Sequence, residues 1–162
     1  MKFDKKNKTI ALIAVLAACA FYIFFTVKNN GAASIKLNDN FQKIEFTEEF
    51  NQEELKKQSD NIVRLFSNLE FEKVASQSEE GLKKMMESDS KDTEKQYDII
   101  KKKMEKVGKL EKINITQMEC YKVKDTKEDV ALVASRAKYE NGKIDFIFFF
   151  NKHNQLMSFN LK

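Results

Sequence analysis

The sequence predicts an α+β protein: an N-terminal transmembrane helix, then two to three helices packed on one face of a curved four-stranded antiparallel sheet. Three observations predict it. An almost unbroken apolar block occupies residues 10–27, apolar residues recur at helical spacing between residues 55 and 107, and beyond Gly108 the period changes to the alternation of strands.

The apolar block comes first. Between Ile10 and Val27 the only polar residue is Thr26. With Thr9 the stretch has 19 residues, and as a helix it rises about 28 Å, the thickness of a bilayer's hydrocarbon core. Lys2, Lys5, Lys6 and Lys8 precede it against a single Asp4, and only Lys28 follows closely. This asymmetry keeps residues 1–8 in the cytoplasm and puts the C-terminal domain outside the cell, on a single-pass signal anchor at residues 9–27. A second reading competes. Leu16-Ala17-Ala18-Cys19 resembles the lipobox of bacterial lipoproteins, which makes Cys19 a candidate lipidation site. The anchor is preferred because it accounts for all 19 residues, whereas a lipoprotein would leave the apolar stretch from Ala20 to Val27 where a polar tether is usual. A third, bland reading makes Cys19 a small apolar residue of a helix.

Residues 28–46, opening on Lys28-Asn29-Asn30-Gly31-Ala32-Ala33-Ser34, read as a stalk, and residues 47–162 as the extracytoplasmic domain. Thr47 is the expected helix cap, with Glu48 and Glu49 in the first turn. Leu55, Ser59, Ile62, Phe66 and Leu69 follow at spacings of four and three and form one buried stripe. A break and a short helix are expected from Asn68 to Ala75, with another helical turn or two from Glu79 to Met86. Ser88-Asp89-Ser90 caps the next helix, which carries Tyr97, Ile100, Met104 and Val107 and stops at Gly108. Four strands follow, at Leu110 to Val123 and at residues 130–139, 144–150 and 155–161. Asn141-Gly142 is the expected two-residue hairpin. In the first strand the inward face switches between Ile115 and Met118, which suits a bulge or a long bent strand.

This order of elements, with the Leu69-Glu70-Phe71-Glu72-Lys73-Val74 turn and the helix ending at Gly108, resembles the nuclear-transport-factor-2-like, cystatin-like superfamily. Within it, the likeness is to a bacterial extracytoplasmic domain of unknown function. The resemblance implies a cone between sheet and helices, used for catalysis or ligand binding in some members and closed in members that act as assembly modules. A catalytic member would place Asp, His or Tyr inside the cone. The inward positions here read as Ile, Val, Leu, Phe and Met.

The chemistry-bearing residues point the same way. The one histidine, His153, sits in a predicted turn between Lys152 and Asn154 and cannot build a multi-histidine metal site. Cys120 is the only cysteine beyond the apolar block and reads as a buried small hydrophobe. Glu48, Glu49, Glu53 and Glu54 lie among lysines on a helix start, a solvated face rather than an acid/base pair. No catalytic residue, metal site or cofactor is expected. Nucleic acid is excluded as a partner, because most of the net charge of +4 belongs to the N-terminal tail and Arg64 and Arg136 are the only arginines.

The oddest segment is Ile144-Asp145-Phe146-Ile147-Phe148-Phe149-Phe150, apolar on both faces. Ile147 and Phe149, with Ala131 and Val133 of the neighbouring strand, are the candidate partner surface for a homodimer or a second protein. Intramolecular cover, by the curled sheet or by the segment from Phe41 to Phe46, is the preferred expectation, and the partner surface is the sharper hypothesis beside it. The functional expectation is a membrane-anchored, non-catalytic binding or assembly module. The alternative is a small pocket enzyme or apolar-ligand carrier with Asp145, Tyr139 or Tyr97 in a polar cone. A weaker third expectation is an electrostatic contact of the lysines from Lys101 to Lys112 with anionic cell-wall polymers or lipid head groups.

Overall fold

The computed structural model describes the backbone of residues 24–26 and 34–162 and the side chains of residues 37–162. Four helices pack on one face of a five-stranded antiparallel sheet. β1 (Phe24–Thr26) pairs only with β2 (Ser34–Lys36). The remaining elements run β3 (Phe41–Ile44), α1 (Gln52–Ser67), α2 (Phe71–Ser76), α3 (Glu80–Met86), α4 (Lys91–Val107), β4 (Leu110–Val123), β5 (Asp129–Tyr139), β6 (Gly142–Phe150) and β7 (Leu156–Leu161). The main sheet has the order β3-β4-β5-β6-β7, every neighbouring pair antiparallel.

Two counts differ from the sequence expectation. The sheet has five strands rather than four, because β3, inside the segment expected as a stalk, pairs with the far end of β4 from Phe41 opposite Val123 to Ile44 opposite Cys120. Among the described residues the helices number four, where two to three were expected. Residues 70–87 fold as α2 and α3, separated where Ser78 bridges Leu156 of β7. Of the expected span 9–27, only Phe24–Thr26 is described, and its backbone is a strand with β2 as partner, not a helical turn. The rest of the span, with Cys19, lies outside the described residues. Among the described residues no helix is long and apolar enough to cross a membrane.

Local chemistry explains the elements. Asn51, not Thr47, caps α1: its Oδ1 accepts from the backbone N–H of Glu53 at 3.0 Å and of Glu54 at 3.2 Å. The buried residues of α1 are Leu55, Ser59, Ile62, Val63, Leu65 and Phe66, the stripe that the helical spacing predicts, except that Leu69, expected to continue it, lies past the helix end at φ +60° and is half-buried. Ser90 Oγ accepts from Thr93 N at 3.2 Å and caps α4, and Gly108 ends it at φ +79°. The positive φ calls for glycine, whereas the nearest atom to a Cβ there, Glu140 Oε2 at 2.7 Å, is the movable end of a side chain.

The expected bulge lies in β4 between Ile115 and Gln117, and it returns Met118 and Cys120 to the helix side already occupied by Ile113 and Ile115. The hairpin between β5 and β6 is tight but turns on Glu140-Asn141, with Gly142 already paired to Tyr139. No positive φ is used there. The turn is held instead by Glu140 N donating to Lys109 O and Asn141 N donating to Val107 O.

The core sits between helices and sheet. Phe146, Phe148 and Phe150 of β6 meet Leu55, Ile62 and Phe66 of α1, all excluded from solvent. Its polar groups are paired: Ser59 Oγ and Ser135 Oγ lie 2.8 Å apart, and Ser67 Oγ lies 2.8 Å from the Tyr139 hydroxyl.

Candidate functional site

The outer face of the sheet, away from the helices, carries a second apolar cluster. It contains Tyr121 and Val123 of β4, Val130, Leu132 and Ala134 of β5, and Ile147 and Phe149 of β6. These side chains are buried, and Leu37, Phe41 and Met157 pack against them. Phe41 spans the cluster, its ring centroid 6.3 Å from Tyr121 and 5.8 Å from Phe149. Intramolecular cover by Phe41 is therefore real, whereas Phe46 packs against the helix-side core.

The four residues expected to form one partner surface divide between the two faces. Ile147 and Phe149 lie outside; Ala131 and Val133 lie inside, in the core with Phe148 and Phe150. The register requires this, because Ala131 pairs with Phe150 and Val133 with Phe148, while Leu132 pairs with Phe149 and Ala134 with Ile147. Directly paired residues share a face. The signal was present in the sequence: across a two-residue hairpin an odd-numbered residue pairs with an even-numbered one, so Ile147 and Phe149 must go with Leu132 and Ala134.

Beyond the apolar cluster the outer face turns polar. The Glu119 carboxylate accepts hydrogen bonds from Lys43, Tyr121 and Gln117. Burial alone would raise its pKa, but these three bonds outweigh it and hold the carboxyl below the usual glutamate value. Tyr121 is pushed well above the ordinary phenol range, first by burial, then by its hydrogen bond to the Glu119 carboxylate and by that group's charge. Arg136 binds Asp145 through Nε and Nη2 at 2.6 and 2.9 Å, a two-point ion pair.

A polar groove of about 520 Å³ opens between the start of α1, the end of α2 and the turn joining β6 to β7. Amides dominate it: Gln58 and Asn61 both donate to Gln77 Oε1, and Asn154 donates to Glu54 Oε2 at 3.0 Å. His153 stands on its rim, its backbone N–H held by Asn151 Oδ1. Its ring bonds to no carboxylate among the described residues, so no acid–base pair forms there.

The remaining candidates fall elsewhere. Tyr139 and Tyr97 hydrogen-bond inside the helix layer, to Ser67 and to Met86 O, and Asp145 is on the outer face. They do not converge. Among the described residues no group of three or more His, Cys, Asp or Glu side chains is placed to hold a metal ion. Glu48 and Glu49 are exposed in a turn ahead of α1, and Glu53 pairs with Lys56 at 2.8 Å on its solvated side.

Cys120 is a buried free thiol. Burial pushes its pKa up, against the backbone amides of Thr47 and Tyr121, so both access and thiolate fraction are low. In a Cys19→Ser chain a thiol reagent is expected to leave Cys120 unmodified until denaturant unfolds the protein. Stoichiometric labelling within minutes under native conditions would show that β3 does not stay on the sheet edge.

No protein-family model matches this chain, and no curated protein matches it. A solved structure that resembles it is the NMR structure of a protein from Ruminococcus gnavus, 23% identical, with a TM-score of 0.59 over 73% of this chain and 96% of that one. At that identity the likeness is one of fold alone: the chain shares the α+β architecture of the Ruminococcus protein across nearly the whole of that protein's length.

Proposed function

We propose that this chain is a single-pass membrane protein, anchored by residues 9–27, whose extracytoplasmic domain is a non-catalytic binding or assembly module of the nuclear-transport-factor-2-like superfamily. The observation that carries this reading is the filled interior. Where a pocket protein of that superfamily would hold polar side chains, Phe66, Phe146, Phe148 and Phe150 meet one another, and the buried hydroxyls of Ser59 and Ser135 satisfy each other. The partner, a second copy of the chain or another protein, binds the outer face around Ile147 and Phe149, and Leu37 and Phe41 are the cover it displaces.

Location and partner are tested on intact cells. The chain is expected to resist alkaline carbonate extraction and to be cut by external protease. A photo-crosslinking residue at Phe41 or Met157 is expected to give one discrete adduct, and one at exposed Ile99 of α4 to give none. Adducts from neither outer-face position would remove the outer face as the partner surface.

A further inference from the structure

The register of the sheet assembles a feature that is not adjacent in sequence. Lys112 of β4 pairs with Lys138 of β5, and Lys138 pairs with Lys143 of β6, so three ammonium groups stand side by side on the outer face. Neighbouring strands are about 4.8 Å apart, and like charges directly opposite one another are destabilising. One local countercharge is supplied: Glu111 binds Lys138 at 2.5 Å. Lys112 and Lys143 are exposed and have no ion-pair partner among the described residues. Exposed Lys106 and Lys109 lie at the same pole, where the end of α4 meets the Glu140-Asn141 turn. Two nearby carboxylates are engaged, Asp145 with Arg136 and Glu140 with the backbone N–H of Lys109.

We propose that this lysine ladder, Lys112, Lys138 and Lys143 with Lys106 and Lys109 at the same pole, docks a linear phosphodiester polymer that carries no bases. Three features select that partner. Lysine ammonium groups are compact point charges that pair with single anionic oxygens such as those of a phosphodiester, and the ladder holds no arginine fork for two-point recognition. The ladder also lacks an aromatic platform on which bases could stack, since Tyr139 faces the core. The last feature is position. The chain enters the sheet at Phe41, opposite Val123, and Lys112 lies eleven residues back along β4, about 35 Å for an extended strand. With the anchor of the proposed function in place, the ladder is on the pole turned away from the bilayer, so an extracellular polymer and not a lipid surface meets it. That choice of source rests on the anchored reading; the ladder itself does not.

The test uses the full chain in phosphatidylcholine nanodiscs, with poly(glycerol phosphate) as probe. Binding is expected to weaken steeply as salt rises from about 50 to about 300 mM, where exposed charges are screened within a few ångströms. K112Q/K138Q/K143Q is expected to lose about tenfold or more in affinity, and the matched-charge variant K84Q/K91Q/K95Q no more than about twofold. Because the ladder repels itself, its triple variant is expected to melt at or above the parent temperature, so lost binding is not lost folding. Equal losses in the two variants, no binding by the parent, or tighter binding to phosphatidylglycerol vesicles or to oligothymidylate would each overturn the assignment. A chain that does not co-purify with the discs overturns the anchor alone, because the same binding comparison is then made on the chain free in solution.

Discussion

Ile147→Lys is expected to unfold the domain or to leave it only marginally stable. Ile147 is 1% exposed on β6, between Ala134 of β5 and Asn160 of β7, with Leu132 and Phe149 in the same cluster. An ammonium group there loses its hydration with no carboxylate in the apolar cluster, and the isoleucine's burial is lost as well. Together these cost about 4 kcal/mol or more, a large part of the 5–15 kcal/mol that holds a typical domain folded. Urea titration followed by circular dichroism measures it. Ile147→Val, which removes one methyl group, is the companion variant, with an expected loss of about 0.5–1.5 kcal/mol. A lysine variant with the parent midpoint would mean that this face is open to solvent and that Phe41 and Leu37 cover nothing. The consequence reaches the partner proposal: lysine scanning of the outer face would confuse lost assembly with lost folding, so crosslinking from Phe41 and Met157 is the cleaner probe.

Phe66→Ala is expected to cost about 3–5 kcal/mol, and to lower the melting temperature by about 10 °C or more. Phe66 is fully buried, and its ring lies 4.8 Å from Phe159, 6.1 Å from Phe146 and 6.2 Å from Phe71, centroid to centroid. One side chain thus ties α1 to α2, β6 and β7, and none of these elements can close over the void without pulling away from another. Phe71→Ala is the graded comparison. That ring is only partly buried and stacks on Tyr97 at 4.2 Å, so about 1–2 kcal/mol is expected from lost stacking and partial burial. A Phe66→Ala protein within about 1 kcal/mol of the parent would show that α1 is not seated through this ring.

The main helices were legible because they announce themselves locally. Leu55, Ser59, Ile62 and Phe66 lie on the buried stripe their spacing predicts, and Ile100, Met104 and Val107 repeat this on α4. The bulge in β4 was legible from the switch of face after Ile115, and the stop at Gly108 from glycine's tolerance of positive φ. The fifth strand was not. Phe41–Ile44 is four residues long, too short for periodicity to show, and it becomes a strand only because the far end of β4 offers it a hydrogen-bonding edge. Thr47 looked like the cap of α1 because threonine followed by two glutamates fits the local rule, yet Asn51 stands where its Oδ1 reaches two free amides.

The candidate site shows the same limit more sharply. That the strand from Ile144 to Phe150 needs cover on both faces follows from its composition. Which residues share a face does not follow from hydrophobicity, since Ala131 and Leu132 are both apolar and differ only in which pleat they occupy.

By itself, the sequence determined the α+β order of the elements, the buried stripes of the two long helices, and the lack of any local motif for a metal or nucleophile. These depend on contacts within a turn or two of chain, or on composition, and both are written along the sequence. The tertiary structure alone decided that β3 closes the sheet, that Phe41 lies over the outer cluster, and that Lys112, Lys138 and Lys143 stand in one row. Each of those depends on strand register, which is set by pairing between residues up to about 80 positions apart. A shift of one residue in that pairing would leave the composition unchanged and turn every side chain of the strand to the opposite face.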